Sequence, residues 1–228
     1  MDIVFTNTVP QVEIENPKPA SQFIPNWYKE VESYINGKKL PDGNGGGTGT
    51  VKRCMPVFDA ITAGYIITLP ADVYVSQRDE QPYFEWATLG LVQFHPAVQA
   101  PNHPNRNGHE SYPKWINPWA IKTPKGYSTL FVQPFHRESV FTILPGVVDT
   151  DEYFAPVNFP FVLNDVKFEG LIPKGTPIAQ VIPVKRDTWE IKIGSEKEFV
   201  EQIKITNKLS TRFFDRYKDM FRAHKEYR

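Results

Sequence analysis

Apolar residues fall along the chain in short runs punctuated by proline and glycine. The stretches TAGYIITL, DVYVS, GYSTLFVQ, SVFTIL, FPFVL and IAQVIPV are rich in β-branched and aromatic side chains and have strand length. Proline continues neither a helix interior nor a central strand ladder, so 21 prolines against 14 glycines divide the chain into short strands and loops. Helical spacing is confined to the two ends. Near the start, Asn26 is placed to cap WYKEVESYI, whose Trp27, Val31, Tyr34 and Ile35 share one face. Near the end, Ser195 and Glu198 form an S-x-x-E capping box. Phe199, Val200, Ile203, Leu209, Phe213, Phe214, Tyr217 and Phe221 then recur at roughly helical intervals. Phe213, Phe214, Tyr217 and Phe221 form a broad aromatic face that water disfavours, and the expected cover is a partner chain.

These patterns divide the chain into three parts. Residues 1–50 read as an N-terminal arm with a short helix and a Gly-rich loop, PDGNGGGTGT, which lacks the Lys-Ser/Thr of a phosphate-binding loop and reads as a connection. Residues 51–190 form a β body without internal repeats, and 191–228 a C-terminal helical extension. Within the body, 95–119 is polar, Pro-rich and unsuited to strand pairing, so it reads as a long surface excursion. Its His95, His103 and His109 match no metal-ligand spacing and have only Glu110 nearby, so they read as solvated. Trp115, Trp119 and Tyr127 read as the anchor that packs the excursion back on the body.

The 228 residues suit one large β domain, and 40% apolar content suffices for a core. Charge is balanced, 26 basic against 26 acidic residues, so no global field draws the chain to nucleic acid or an anionic membrane. The basic stretch at 212–228 reads as a solvated helix face. A single cysteine, Cys54, excludes an intramolecular disulfide and reads as a buried structural thiol. No apolar run has membrane-spanning length and the first residues lack a signal-peptide pattern, so cytoplasmic synthesis is expected.

Three segments, taken in order, carry a resemblance. DAITAGYIITLPADVYV (59–75), PGVVDTDEY (145–153) and IPKGTPIAQVIPV (172–184) resemble the first, third and fourth motifs of the dUTPase and dCTP-deaminase superfamily. The resemblance implies an all-β, β-clip (dUTPase-like) barrel over 59–184, carrying here an N-terminal arm and a C-terminal α-helix. It further implies that the turn at Asp149 lies beside the strand of Ile178. A wider pattern, including FIPNWYKEV and KWINPWAIKTPKGYSTLF, is similar to an uncharacterised family found in tailed phages and some bacteria. That likeness implies the cytoplasm of an infected bacterium, or a virion.

Enzymes of the superfamily hydrolyse dUTP with a water-activating carboxylate, hydrated magnesium and phosphate-holding Arg, Ser and Gln groups. Asp149 matches the carboxylate, Tyr153 the aromatic against the sugar, Gln180 the phosphate-contacting glutamine, and Arg137 and Ser139 of PFHRES the phosphate clamp. The aspartate that helps hold magnesium is Ile66 here, Glu138 interrupts the clamp, and a bulky extension replaces the Gly-rich closing tail. The Arg and Glu pair that dCTP deamination requires is also missing. Each matching residue has a plain structural reading too: Asp149 in a turn, Arg137 in an ion pair with Glu138, Gln180 satisfying backbone. The expectation is therefore a non-catalytic phage structural or assembly protein whose extensions dock on other subunits, as a homo-oligomer or in a virion, with no cofactor. The alternative is a nucleotide-binding enzyme or sensor with a modified pocket at Arg137, Ser139, Tyr153 and Gln180, using Asp149, with magnesium only in that case.

Overall fold

Alternating burial places the strands: Val73 and Val75 are fully buried whereas Tyr74 between them is exposed, the period of two that a half-covered sheet imposes. The computed structural model describes residues 1–38, 48–87, 90–99, 101–104, 110–210 and 217–228. In chain order they form β1 (Val4–Asn7), β2 (Lys18–Pro19), α1 (Asn26–Glu30), α2 (Met55–Thr62), β3 (Tyr65–Thr68), β4 (Val73–Arg78) and β5 (Gln81–Trp86). Then come β6 (Val92–Pro96), β7 (Ser111–Trp115), β8 (Trp119–Lys122), β9 (Tyr127–Val132), β10 (Phe141–Ile143) and β11 (Gly146–Val148). The last elements are β12 (Phe159–Leu163), β13 (Gly170–Ile172), β14 (Pro177–Lys185) and α3 (Glu196–Ser210).

The architecture is all-β with a C-terminal helix. The central sheet has the order β11-β9-β14-β3-β2 and is joined by sheets β10-β12-β7-β6, β13-β4-β5 and β1-β8. The pairs are antiparallel. On the buried face of the β10-β12-β7-β6 sheet, Trp115 stacks on Phe161 at 4.2 Å and meets Phe141 edge-on at 5.2 Å, so aromatic rings supply much of the buried apolar surface. Trp115 and Trp119 are thus core anchors, and Tyr127 opens β9. The first 50 residues are stitched to this body, because β1 pairs with β8 and β2 with β3.

Several expectations need correction. The helix expected from Trp27 to Ile35 ends at Glu30, and its N-cap is Pro25 rather than Asn26. Helix is not confined to the ends: α2 occupies MPVFDAIT, with proline in its first turn where the missing N–H costs nothing. Gly64 follows with φ +65°, and a Cβ there would lie 2.0 Å from the Val181 carbonyl oxygen, so glycine alone permits the turn from α2 into β3. The excursion at 95–119 contains β7, which pairs with β6 through Phe94 and Pro113. Cys54 is exposed at the N-cap of α2 rather than buried.

The two polar extensions also differ in detail. Most of the Gly-rich loop lies outside the described residues, but its end returns through a bridge between Tyr34 and Gly49. At the other end the capping box forms, with the Ser195 N–H donating to Glu198 Oε2 at 2.8 Å. Every residue from 185 to 208 is exposed. Beyond α3, Phe213 and Phe214 lie outside the described residues, and Tyr217 and Phe221 sit in a single π-helical turn.

The chain then folds back on its own body. Arg222 grips Asp59 of α2, with Nη2 to Oδ1 at 2.7 Å, and Lys225 Nζ adds a 2.8 Å contact to Oδ2. Tyr227 meets Tyr65 edge-on at 6.0 Å. These partners hold the Asp59 carboxyl below its ordinary value, the Arg222 hydrogen bond contributing most.

Candidate functional site

After β9 the chain passes through β10 and returns as β11 to pair antiparallel with β9, which delivers Asp149 just past β11. Ser128 of β9 donates its hydroxyl to Asp149 Oδ1 at 2.6 Å, and Arg186 approaches the same oxygen at 3.1 Å. Arg186 is held more firmly by Asp151, whose side chain is 2% exposed: Nη1 reaches Oδ1 at 2.7 Å and a second N–H reaches Oδ2. The Gly126 N–H also donates to Asp151 Oδ2, at 2.8 Å. The Arg186 guanidinium, followed by that backbone N–H, holds the Asp151 carboxyl down at about 2. Below the turn, Thr123, Thr129 and Thr150 are buried and linked hydroxyl to hydroxyl at 2.8 and 2.7 Å. Thr123 donates onward to the Tyr127 carbonyl at 2.9 Å, which orients the chain of donors from Thr129 through Thr150 to Thr123.

Asp149 is therefore a turn residue engaged by a hydroxyl and a guanidinium, and its carbonyl accepts the Tyr153 N–H at 2.8 Å. The Tyr153 ring is 52% exposed. Gln180 is 1% exposed and its amide is satisfied by backbone. Its Oε1 accepts from the Phe135 N–H at 3.0 Å, and Nε2 donates to the Ala60 and Ala63 carbonyls at 2.9 and 2.7 Å. It joins the central sheet to the end of α2 and offers no donor to a phosphate. Its neighbour across β3 is Ile66, also buried.

Arg137 and Ser139 lie elsewhere. Both line a depression with Trp27, Gln133, Leu171 and Pro173, and Arg137 also lines an adjoining one with His136 and Pro145. Arg137 Nη2 is buried without a hydrogen-bond partner, and burial lowers the pKa of its guanidinium. The expected ion pair with Glu138 does not provide that partner. Ser139 Oγ is engaged locally, accepting the Phe141 N–H at 3.2 Å. The rim is shaped by Trp27, whose indole donates to the His136 carbonyl at 2.7 Å where the His136 backbone is left-handed, φ 54°. The helical spacing of Trp27 gives no sign of its place at this rim, because its link to His136 is long-range in sequence.

Along β9 and β14, Ser128 beside Asp149 faces Val184, whereas Val132 faces Gln180. Those positions are four residues apart, on the order of ~13 Å along the strand. Asp149 thus meets Arg186 at the end of β14, the strand of Ile178, and β9 joins β11 to that strand, so the turn lies beside it as the resemblance implied, at the end away from Ile178 itself. Within one chain, Asp149 and Tyr153, the buried Gln180, and the Arg137–Ser139 depression form three separate places. Among the described residues, no three His, Cys, Asp or Glu side chains are grouped to hold a metal ion. Nor is any described helix long and apolar enough to cross a membrane.

No family model and no curated protein matches the sequence. Among solved structures, a mutant dUTPase from phage phi11 of S. aureus is similar at 17% identity and a TM-score of 0.31, over 60% of this chain and 86% of that one. A Staphylococcus bacteriophage 80alpha dUTPase mutant with dUpNHpp gives the same identity and score over 59% of this chain and 76% of that one. A likeness of that degree says nothing about activity.

Proposed function

We propose that this chain is a non-catalytic structural or assembly protein of a phage-infected bacterium, built on a degenerate dUTPase-like β fold and docking on other subunits through its terminal extensions. The observation that carries the reading is the exposed segment 185–208, where Trp189, Ile191 and Ile193 stand in water without intramolecular cover. Apolar surface of that extent favours burial against a partner. The separation of Asp149 from Arg137 and the internal engagement of Gln180 support the absence of turnover, since in-line phosphoryl chemistry needs its groups converged.

One observation favours a second reading, a nucleotide-binding sensor. The unpartnered Arg137 Nη2 beside Trp27 provides a cation and a ring at one depression, the chemistry that holds a phosphorylated base. The test is a binding screen against nucleoside mono-, di- and triphosphates with magnesium, alongside assay of pyrophosphate release from dUTP. The proposal expects no release; turnover abolished by Asp149→Asn would overturn it.

A further inference from the structure

The segment between Arg186 and α3 reads D-T-W-E-I-K-I-G-S, and Trp189, Ile191 and Ile193 are 87%, 93% and 91% exposed. Its root is fixed, because Arg186 is clamped by Asp151 and its N–H donates to the Gly126 carbonyl at 2.8 Å, extending the β14 ladder by one bond. The far end of the C-terminal extension is fixed as well, through Arg222 on Asp59. The apolar residues that follow this root are exposed to water.

We propose that residues 188–194 pair antiparallel with the same segment of a second copy of this chain, about a two-fold axis at Ile191. The inference rests on the assembly reading and names its partner. Strict alternation puts Trp189, Ile191 and Ile193 on one face of an extended segment and Glu190 and Lys192 on the other. Facing residues of an antiparallel pair project to the same side. With the axis at Ile191, Ile191 faces itself, Trp189 faces Ile193, and Glu190 faces Lys192 twice over. An axis at Glu190 or at Lys192 sets like charges opposite each other. An axis between two residues puts apolar opposite charged positions, and a parallel in-register pair aligns Glu190 with Glu190. Only one register is therefore both apolar on one face and charge-complementary on the other.

A two-stranded ribbon alone is marginal in water and needs a cover. The amphipathic α3 begins directly after it and presents Phe199, Val200 and Ile203, all exposed in the single chain. Ribbon and helix together bring surface on the order of the ~800 Å² per partner found in stable interfaces, the two rings contributing ~150–250 Å² each. The symmetry is that of an isologous dimer, in which one patch serves both sides.

The test uses the full chain with Cys54→Ser, which removes the exposed native thiol. Ile191→Cys is expected to form a disulfide-linked dimer under mild oxidation, because the two positions are directly opposed. Ile193→Cys is expected to link at least about tenfold more slowly, since its counterpart is displaced by four positions. Glu190→Lys and Lys192→Glu are each expected to weaken self-association about tenfold or more, while an equimolar mixture of the two, or the double swap, restores it. The result that overturns the ribbon is equal linking at both positions, association indifferent to the charge reversals, or a monomer at every concentration. A stable oligomer without the Ile191→Cys link would remove this register and leave assembly standing. Turnover of dUTP would remove the assembly reading and leave the cross-linking result intact.

Discussion

Gln180 illustrates how a residue assigned to a ligand by motif acts as a structural joint. Replacing it with leucine strands the Phe135 N–H and the Ala63 carbonyl and leaves the Ala60 carbonyl with the Ala63 N–H alone, each orphaned group costing ~1–3 kcal/mol, so Gln180→Leu is expected to destabilise by about 2 kcal/mol or more in a denaturant titration. Asp151 gives a pH signature. Its carboxyl is held at about 2, below the ordinary 3.8, so the stability it contributes is complete above that ordinary value and is lost as pH falls through about 2. Asp151→Asn is therefore expected to lower the melting temperature at neutral pH and to remove part of the acid sensitivity between about pH 4 and about pH 2, as read from melts across that window. At this scale the sequence showed Asp149 as a turn residue and Gln180 as a partner of backbone. It did not show Arg186, which lies outside any motif and gains meaning only when β14 brings it beside Asp151.

Among the elements, the strands and the start of α3 were legible because each is specified locally, by alternation or by the Ser195–Glu198 box. The elements that escaped are those in which tertiary contacts override local rules. In β7, Pro113 is tolerated within a pair that its sequence disfavours, and α1 stops at Glu30, where Val31 already has extended backbone. The turn after α2 is set by Gly64, and Gly64→Ala combines a left-handed φ with a Cβ driven into the Val181 carbonyl. It is expected to cost at least about 3 kcal/mol and to deplete soluble folded protein. The tail is tied more weakly. Arg222→Ala is expected to raise amide exchange and protease cleavage across 217–228 while leaving exchange in β3 and β14 unchanged, because Arg222 makes both the main grip on Asp59 and a contact over the Phe58 ring, leaving Lys225 on Asp59 and the Tyr65 contacts with Tyr227 and Arg228 to hold the segment.

For the whole molecule, the body closes its own core around the rings of Trp115, Phe141 and Phe161, whereas the segment from Lys185 to α3 leaves its apolar residues in water. A body whose core is closed by its own rings and an extension whose apolar residues are exposed are the division of labour that the proposed assembly role requires. Measuring native mass for the intact chain and for a chain ending at Arg186, with a thermal melt on each, tests this most directly. The expected result is an oligomer for the intact chain and a folded monomer for the shortened one; an intact chain that is itself monomeric, or a shortened chain that keeps the full oligomeric mass, would contradict it.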